Sequence, residues 1–267
     1  MKIEELEYQV DSSLIYEKIS HFEWPIFLDS CYQKDKPKSS FARFDIIAAN
    51  PFIKLSTLKG VTEIIDPNGR RESNEPALDV LRKVMKKFPS ISSKIPFVGG
   101  AIGYCSYGLN IKESKLGLVN SLMIGIYDWA IVSDHFEEKS YLVSTFNYKG
   151  TKEIWSDLLD LLKSKQEKNE KKFIIKSEVR DNLSYSEYKK QFEIVKNYIR
   201  SGDCYQINLS KKFEVDSLGD SWALYKKFRS INKSPFMAYL SYPSFQILSG
   251  SPEDSLSHWI RKFQQDR

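Results

Sequence analysis

Apolar and polar positions alternate most clearly in the first half of the chain. Arg43 to Ala49 and Phe52 to Leu58 are β-rich runs, and Asn50-Pro51 between them has the composition of a turn. Val61 to Ile65 follows Lys59-Gly60 and is expected to pair with the run before it. Asp66-Pro67-Asn68-Gly69 is a strong turn signal. Leu78, Leu81, Val84, Met85 and Phe88 recur at helical spacing, and Pro89 stops that helix. Phe97 to Tyr107 is apolar, aromatic and punctuated by glycine. Its Gly99-Gly100-Ala101-Ile102-Gly103 is neither G-x-G-x-x-G nor a Walker A loop, and reads as glycines that let backbones pack closely. Leu122 to Asp134 and Ser140 to Phe146 predict an antiparallel pair turned at His135 to Lys139, with Asp134-His135 capping the tip.

The second half is more helical. Thr151 to Lys163 predicts a helix with Ile154, Trp155, Leu158, Leu161 and Leu162 on its apolar side. Lys163 to Lys172 holds no apolar residue and reads as a frayed helix end and exposed linker, since charge runs are usually solvated. Ser184 and Glu187 form a capping box. Behind it, Tyr188, Phe192, Val195 and Ile199 make one helical face, and Gly202 ends the helix. A strand Tyr205 to Phe213, a helix Ser221 to Ile231 and strands Phe236 to Tyr242 and Phe245 to Ser249 follow. Strands outnumber helices and group toward the N-terminus. The expected class is therefore α+β, an antiparallel β-rich sandwich flanked by helices. The expected organisation is a β-rich region over 1–162, a charged linker over 163–180, a further region over 181–253 and a polar tail over 254–267.

Composition narrows the function classes. Of 267 residues, 40 are Lys or Arg and 35 are Asp or Glu, a net charge of +5. That is too weak for nucleic-acid or membrane-surface binding driven by bulk charge. Hydrophobic residues make up 41% and aromatics 13%, enough for a real core. Cys31, Cys105 and Cys204 fit no zinc spacing, and three histidines supply a His-based metal site poorly. The opening MKIEELEYQV has no apolar signal region, and no run approaches the ~18 apolar residues of a membrane span. A cytoplasmic protein is expected.

The chemistry concentrates in IRSGDCYQINLSKKF at Ile199 to Phe213, NKSPFMAYL at Asn232 to Leu240 and SGSPE at Ser249 to Glu253. Taken locally these are a helix stop, a strand start and a turn with an exposed carboxylate. In order, they resemble the chorismate-utilising enzymes, the family of anthranilate synthase component I, isochorismate and salicylate synthases, and aminodeoxychorismate synthase component I. GDCYQINL is most like the G-D-C-Y-Q-V-N-L of the last of these, whereas anthranilate enzymes favour Ile-Phe where Cys204-Tyr205 stand. WPIFLDS at Trp24 to Ser30, SFARFDIIAANP at Ser40 to Pro51, PFVGGAIGYCSYGL at Pro96 to Leu109 and DWAIVSDH at Asp128 to His135 resemble the family's N-terminal region in the same order.

The resemblance implies amination of chorismate at C4 to 4-amino-4-deoxychorismate, a folate precursor, with ammonia from a glutamine amidotransferase and with Mg²⁺ on the substrate carboxylate. It implies that Glu253 of the Ser-Pro-Glu run is a general acid or base. Hydroxide is a poor leaving group, so such an acid must protonate it as it departs. The resemblance also implies an L-tryptophan pocket made by Ser30, Phe41, Ala42, Arg43, Phe44, Pro235, Phe236 and Met237; read from spacing alone, the same residues are an ordinary core. Phe27-Leu28-Asp29-Ser30 departs from the L-L-E-S of anthranilate synthases. The family's P-I-K-G-T lysine and its Mg²⁺ carboxylates have no counterpart among the 267 residues, and the tail after Glu253 does not resemble the family. The isolated chain is therefore expected to be inactive or nearly so, to hold no metal ligands of its own, and to expose apolar surface.

Overall fold

A computed structural model describes residues 1–36, 39–89, 91–107, 109, 120–165 and 171–251. The elements in chain order begin with β1 (Lys2–Leu6), α1 (Ser13–Ile19), β2 (Ile26–Asp29), β3 (Phe44–Ala48), β4 (Ile53–Leu58), β5 (Val61–Asp66) and β6 (Gly69–Ser73). Next come α2 (Ala77–Met85), β7 (Gly100–Cys105), β8 (Leu122–Tyr127), β9 (Trp129–Asp134), β10 (Lys139–Ser144), α3 (Lys149–Glu153) and α4 (Trp155–Lys163). The remainder are β11 (Phe173–Ile175), β12 (Arg180–Asp181), α5 (Tyr185–Ser201), β13 (Phe213–Glu214), β14 (Ser217–Gly219), α6 (Ser221–Asn232), β15 (Phe236–Ser241) and β16 (Gln246–Ser251). Contacts divide the chain into two compact units, Met1–Lys168 with the chain from Tyr225 onward, and Asn169–Leu224.

The first unit is a sandwich of two antiparallel sheets. One has the order β1-β10-β9-β3-β2-β15-β16 and the other β6-β5-β4-β8-β7. Ile26, Ala48, Val132 and Leu240 of the first sheet pack against Met123 and Tyr127 of the second, with Leu28, Phe44, Ile46 and Tyr104 filling in. α2 covers the outer face of the five-stranded sheet, where Val80 and Val84 meet Leu55, Ile64 and Ile124. On the outer face of the seven-stranded sheet, Tyr16 of α1 stacks on Phe27, and Tyr225 of α6 meets Phe27 and Tyr239. The sheet needs β15 and β16, which are remote in sequence from the strands they join.

Two expected elements divide, and a third is much shorter. Leu122 to Asp134 is two strands, β8 and β9, and these lie in different sheets. The break is Asp128. Its buried carboxylate accepts hydrogen bonds from the Thr145 hydroxyl and the Asn147 and Tyr148 amides, which tie the chain down where it changes sheet. The helix expected over Thr151 to Lys163 is α3 and α4, divided at Ile154. The strand expected over Tyr205 to Phe213 is reduced to Phe213–Glu214. A strand exists only where another offers its backbone groups, and residues 205–212 have no ladder partner among the described residues.

The second unit holds β11 paired with β14, β12 paired with β13, and α5. β11 falls within the stretch read as a charged linker, and β12 starts at its last residue. The ends of α5 are as expected: Ser184 and Glu187 complete a capping box, and Gly202 closes the helix at φ +81°. Phe192 and Ile199 of its apolar face are exposed, as are Ile174, Ile175 and Leu218.

One glycine is fixed by space. A Cβ on Gly103 would stand 2.0 Å from the Met123 carbonyl oxygen across the β7–β8 ladder. Gly103→Ala is expected to cost about 1–3 kcal/mol of stability through overpacking. A lower chemical-denaturation midpoint at unchanged m checks this.

Candidate binding site

β3, β2 and β15 are neighbours in the seven-stranded sheet. Leu28 pairs with Ile46, and Asp29 pairs with Met237. Carrying each register to Ser30 sets that residue level with Phe44 on one side and Phe236 on the other. Strands ~4.8 Å apart put the two phenylalanine backbones roughly 10 Å from each other. Phe41 adds its ring edge to Phe236 at a centroid distance of 5.7 Å. Arg43 lies over the Phe44 ring at 4.6 Å and donates to both oxygens of Asp134. Met237 is buried, and its sulfur is 3.4 Å from the Cys31 sulfur. Ala42 closes the short 3-10 turn Ser40–Ala42, and Pro235 is half-buried just before β15. The eight residues thus converge at one end of three adjacent strands. Glu253 lies outside the described residues; β16 ends at Ser251, opposite Phe236.

Ser30 is held from behind. Its N–H and its hydroxyl both donate to one oxygen of Asp45, each at 2.7 Å. The other Asp45 oxygen is 2.7 Å from Nε2 of His135. A carboxylate only accepts, so Nε2 donates to it, and the Tyr8 hydroxyl is hydrogen-bonded to Nδ1 at 2.8 Å. Tyr32 stacks on the imidazole. This Ser-Asp-His chain is not a nucleophile's triad: the carboxylate sits between the other two, so the imidazole does not reach Ser30. With its hydroxyl hydrogen committed to Asp45, the Ser30 oxygen has only acceptor capacity left.

A second buried carboxylate stands beside the first. Asp29 accepts from Nε of Arg229 at 2.6 Å, from the Tyr225 hydroxyl at 3.0 Å and from the Cys31 N–H at 2.7 Å. Arg229 also reaches Asp11 at 2.8 Å. Burial, then the charge of Asp45, push Asp29 above the usual carboxylate range, and Arg229 only partly opposes them. Burial also acts to raise Asp45, but the hydrogen bond and charge of His135 outweigh it and hold Asp45 below that range. Burial and Asp29 push the Cys31 thiol up to about 12, so it is no nucleophile at neutral pH.

The sequence reading missed Asp29, Asp45, Arg229 and Tyr225, and it placed His135 at a hairpin tip. Asp134 does cap that turn, accepting from the Phe136 and Glu137 amides. His135, however, is fully buried, because Asp45 and Tyr8 satisfy both ring nitrogens. The available signal was a single carboxylate interrupting each of the apolar runs IFLDS and RFDII.

No group of three or more His, Cys, Asp or Glu side chains able to hold a metal occurs among the described residues. Asp29 and Asp45 are already committed to Arg229 and His135, so this site does not fit Mg²⁺. No described helix is long and apolar enough to cross a membrane.

Residues 30–259 match the family of chorismate binding enzymes. The chain is 31% identical over 248 residues to aminodeoxychorismate synthase component 1 of Escherichia coli K12, covering 89% of this chain and 52% of that protein. It is 29% identical over 245 residues to anthranilate synthase component 1 of Acetivibrio thermocellus, covering 80% and 48%. The crystal structure of anthranilate synthase component I from Streptococcus pneumoniae TIGR4 superposes with a TM-score of 0.64 at 22% identity, covering 83% of this chain and 53% of that one. This chain spans about half the length of the curated relatives it matches. The family match extends over most of the chain, and the solved structure shares its two-sheet fold: the chain belongs to the chorismate-binding enzymes.

Proposed function

We propose that the chain is the N-terminal part of an aminodeoxychorismate synthase component I. In this reading it takes part in replacing the C4 hydroxyl of chorismate by an amino group, with ammonia from a separate glutamine amidotransferase, in the cytoplasm. The observation that carries the reading is GDCYQINL at Gly202 to Leu209, with Cys204-Tyr205 where anthranilate enzymes favour Ile-Phe. Relatives named aminodeoxychorismate synthase component 1, at 28–31% identity, support it. The 29% identity to an anthranilate synthase keeps that activity as the second reading. The experiment supplies the region of the relatives beyond this chain as a second polypeptide, with Mg²⁺, chorismate and ammonia. Formation of 4-amino-4-deoxychorismate supports the first reading. Anthranilate with pyruvate supports the second, and no product from the assembled pair overturns both. The 267 residues alone are expected to show no turnover.

Within that function the cradle around Ser30 binds L-tryptophan. Phe44 and Phe236 flank the indole, Met237 adds a sulfur–aromatic contact, and the Ser30 oxygen accepts from the ammonium. Phe41, Ala42, Arg43 and Pro235 complete the wall. Titration calorimetry is expected to give saturable binding, weakened at least tenfold by Ser30→Ala or Phe236→Ala, about 1.4 kcal/mol. Absence of heat with millimolar L-tryptophan, on protein shown folded by circular dichroism, would rule the site out.

A further inference from the structure

A cleft of about 450 Å³ opens where β8 leaves the five-stranded sheet, and the proposed function leaves it unused. Its volume falls in the range of small-molecule pockets, roughly 300–1,000 Å³. Phe52, Met85, Phe88, Ile95 and Phe97 make apolar walls, and Phe52 and Phe88 meet edge to face at 5.5 Å. Asp128 is the one charged residue among those lining the cleft, and Ser93, Thr145 and Asn147 add neutral polar groups.

Asp128 is 2% exposed. Its oxygens accept from the Thr145 hydroxyl at 2.8 Å, the Asn147 N–H at 2.9 Å, the Tyr148 N–H at 3.2 Å and the Ser144 hydroxyl at 3.4 Å. All four donors are neutral. Among the described residues, every ion pair within 4.0 Å involves some other carboxylate. Hydrogen bonds from neutral donors lower the cost of burying a charge, and a counter-charge brought to the same carboxylate lowers it further. The cleft therefore presents a carboxylate without a cation beneath aromatic walls. A ligand carrying an ammonium is favoured beside this carboxylate, and one carrying a carboxylate is disfavoured.

We propose that this cleft binds a small primary amine with a flat apolar body, its ammonium toward Asp128 and its body against Phe52, Phe88 and Phe97. The test titrates the 267-residue chain with 2-phenylethylamine, 2-phenylethanol and 3-phenylpropionate, following backbone amide shifts. The amine is expected to bind at least tenfold more tightly than the alcohol, to perturb Gly99, Gly100 and Asn147, and to leave the acid without measurable binding. Met85→Trp fills the cleft and is expected to abolish amine binding, whereas Ser30→Ala leaves it unchanged. Asp128→Asn is expected to bring the amine down to the level of the alcohol. Because that change also removes an acceptor the fold uses, Phe88→Ala serves as the second wall variant, weakening amine and alcohol alike. No amine binding at millimolar concentration, equal affinity for amine and alcohol, or binding undiminished in both wall variants overturns the proposal.

Discussion

Replacing Arg229 by Met is expected to destabilise the first unit by about 3–5 kcal/mol, the usual cost of leaving one member of a buried ion pair alone. Asp29 is buried, and among the described residues Arg229 supplies its one cationic contact, with Tyr225 and Cys31 adding neutral hydrogen bonds. Asp45 lies on the neighbouring strand and repels Asp29, so removing the guanidinium leaves two adjacent carboxylates with His135 as the nearest imidazole. Urea denaturation of the variant against the parent measures the loss. Asp29→Asn with Arg229→Met is expected to recover most of it, because the double change removes the stranded charge as well as its partner. If the single and double variants were equally unstable, Arg229 would act through packing on Phe27 rather than through charge.

The same variant has a pH signature. Asp29 titrates higher in the folded than in the unfolded chain, because burial and Asp45 both disfavour its charge. The folded state therefore binds this proton more tightly, and the stability it contributes is present at low pH and lost as pH rises through the raised value. Removing Arg229 raises Asp29 further and deepens the loss at neutral pH. The gap between variant and parent should narrow on acidification from pH 7 toward the ordinary carboxylate range near about 4. Asp45 has the opposite sign: held low, it contributes stability above its unfolded value that is lost only as pH falls through the lowered one. It is present in both proteins and titrates on the acid side of this window, so the narrowing of the gap is read between pH 7 and the ordinary carboxylate range.

Much of the sandwich was legible because half-buried strands alternate, as Ile53 to Leu58 does, and because Asp66 to Gly69 is turn chemistry. β8 and β9 were read as one strand because both are buried on both faces, which erases the period of two; Asp128 was the one interruption. The second half was harder to read because its partners are distant. Phe236 to Ser241 reads correctly as a strand, yet nothing local says that it lies beside Ile26 to Asp29. The cradle residues came from an ordered resemblance, whereas the polar network behind them has no sequence spacing of its own. Asp45 and His135 meet across the β3–β9 ladder, and Asp29 and Arg229 meet through a helix two hundred residues on. Those pairs fix Ser30 and the end of β2, so the part of the site least visible in sequence is the part that sets the geometry of the rest.

If the chain aminates chorismate as proposed, with Glu253 as the general acid that the family resemblance implies, Glu253→Gln is expected to lower the rate of the assembled enzyme by about 10²–10⁴-fold, the usual contribution of a positioned general acid. The hydroxyl at C4 leaves as water only if a proton reaches it as the C–O bond breaks, and glutamine has none to give. Glutamine keeps the size and shape of glutamate, so substrate binding is expected to be preserved. The loss should fall on kcat with KM little changed, which separates a missing proton from a misplaced substrate. The parent rate should decline as pH rises through the acid's own titration, and that limb should vanish in the variant. Binding of L-tryptophan to the proposed cradle, once measured in the parent, serves as an internal control, since Ser30, Phe44 and Phe236 are untouched. An unchanged kcat, with tryptophan still bound, would remove Glu253 from the chemistry while leaving the cradle in place.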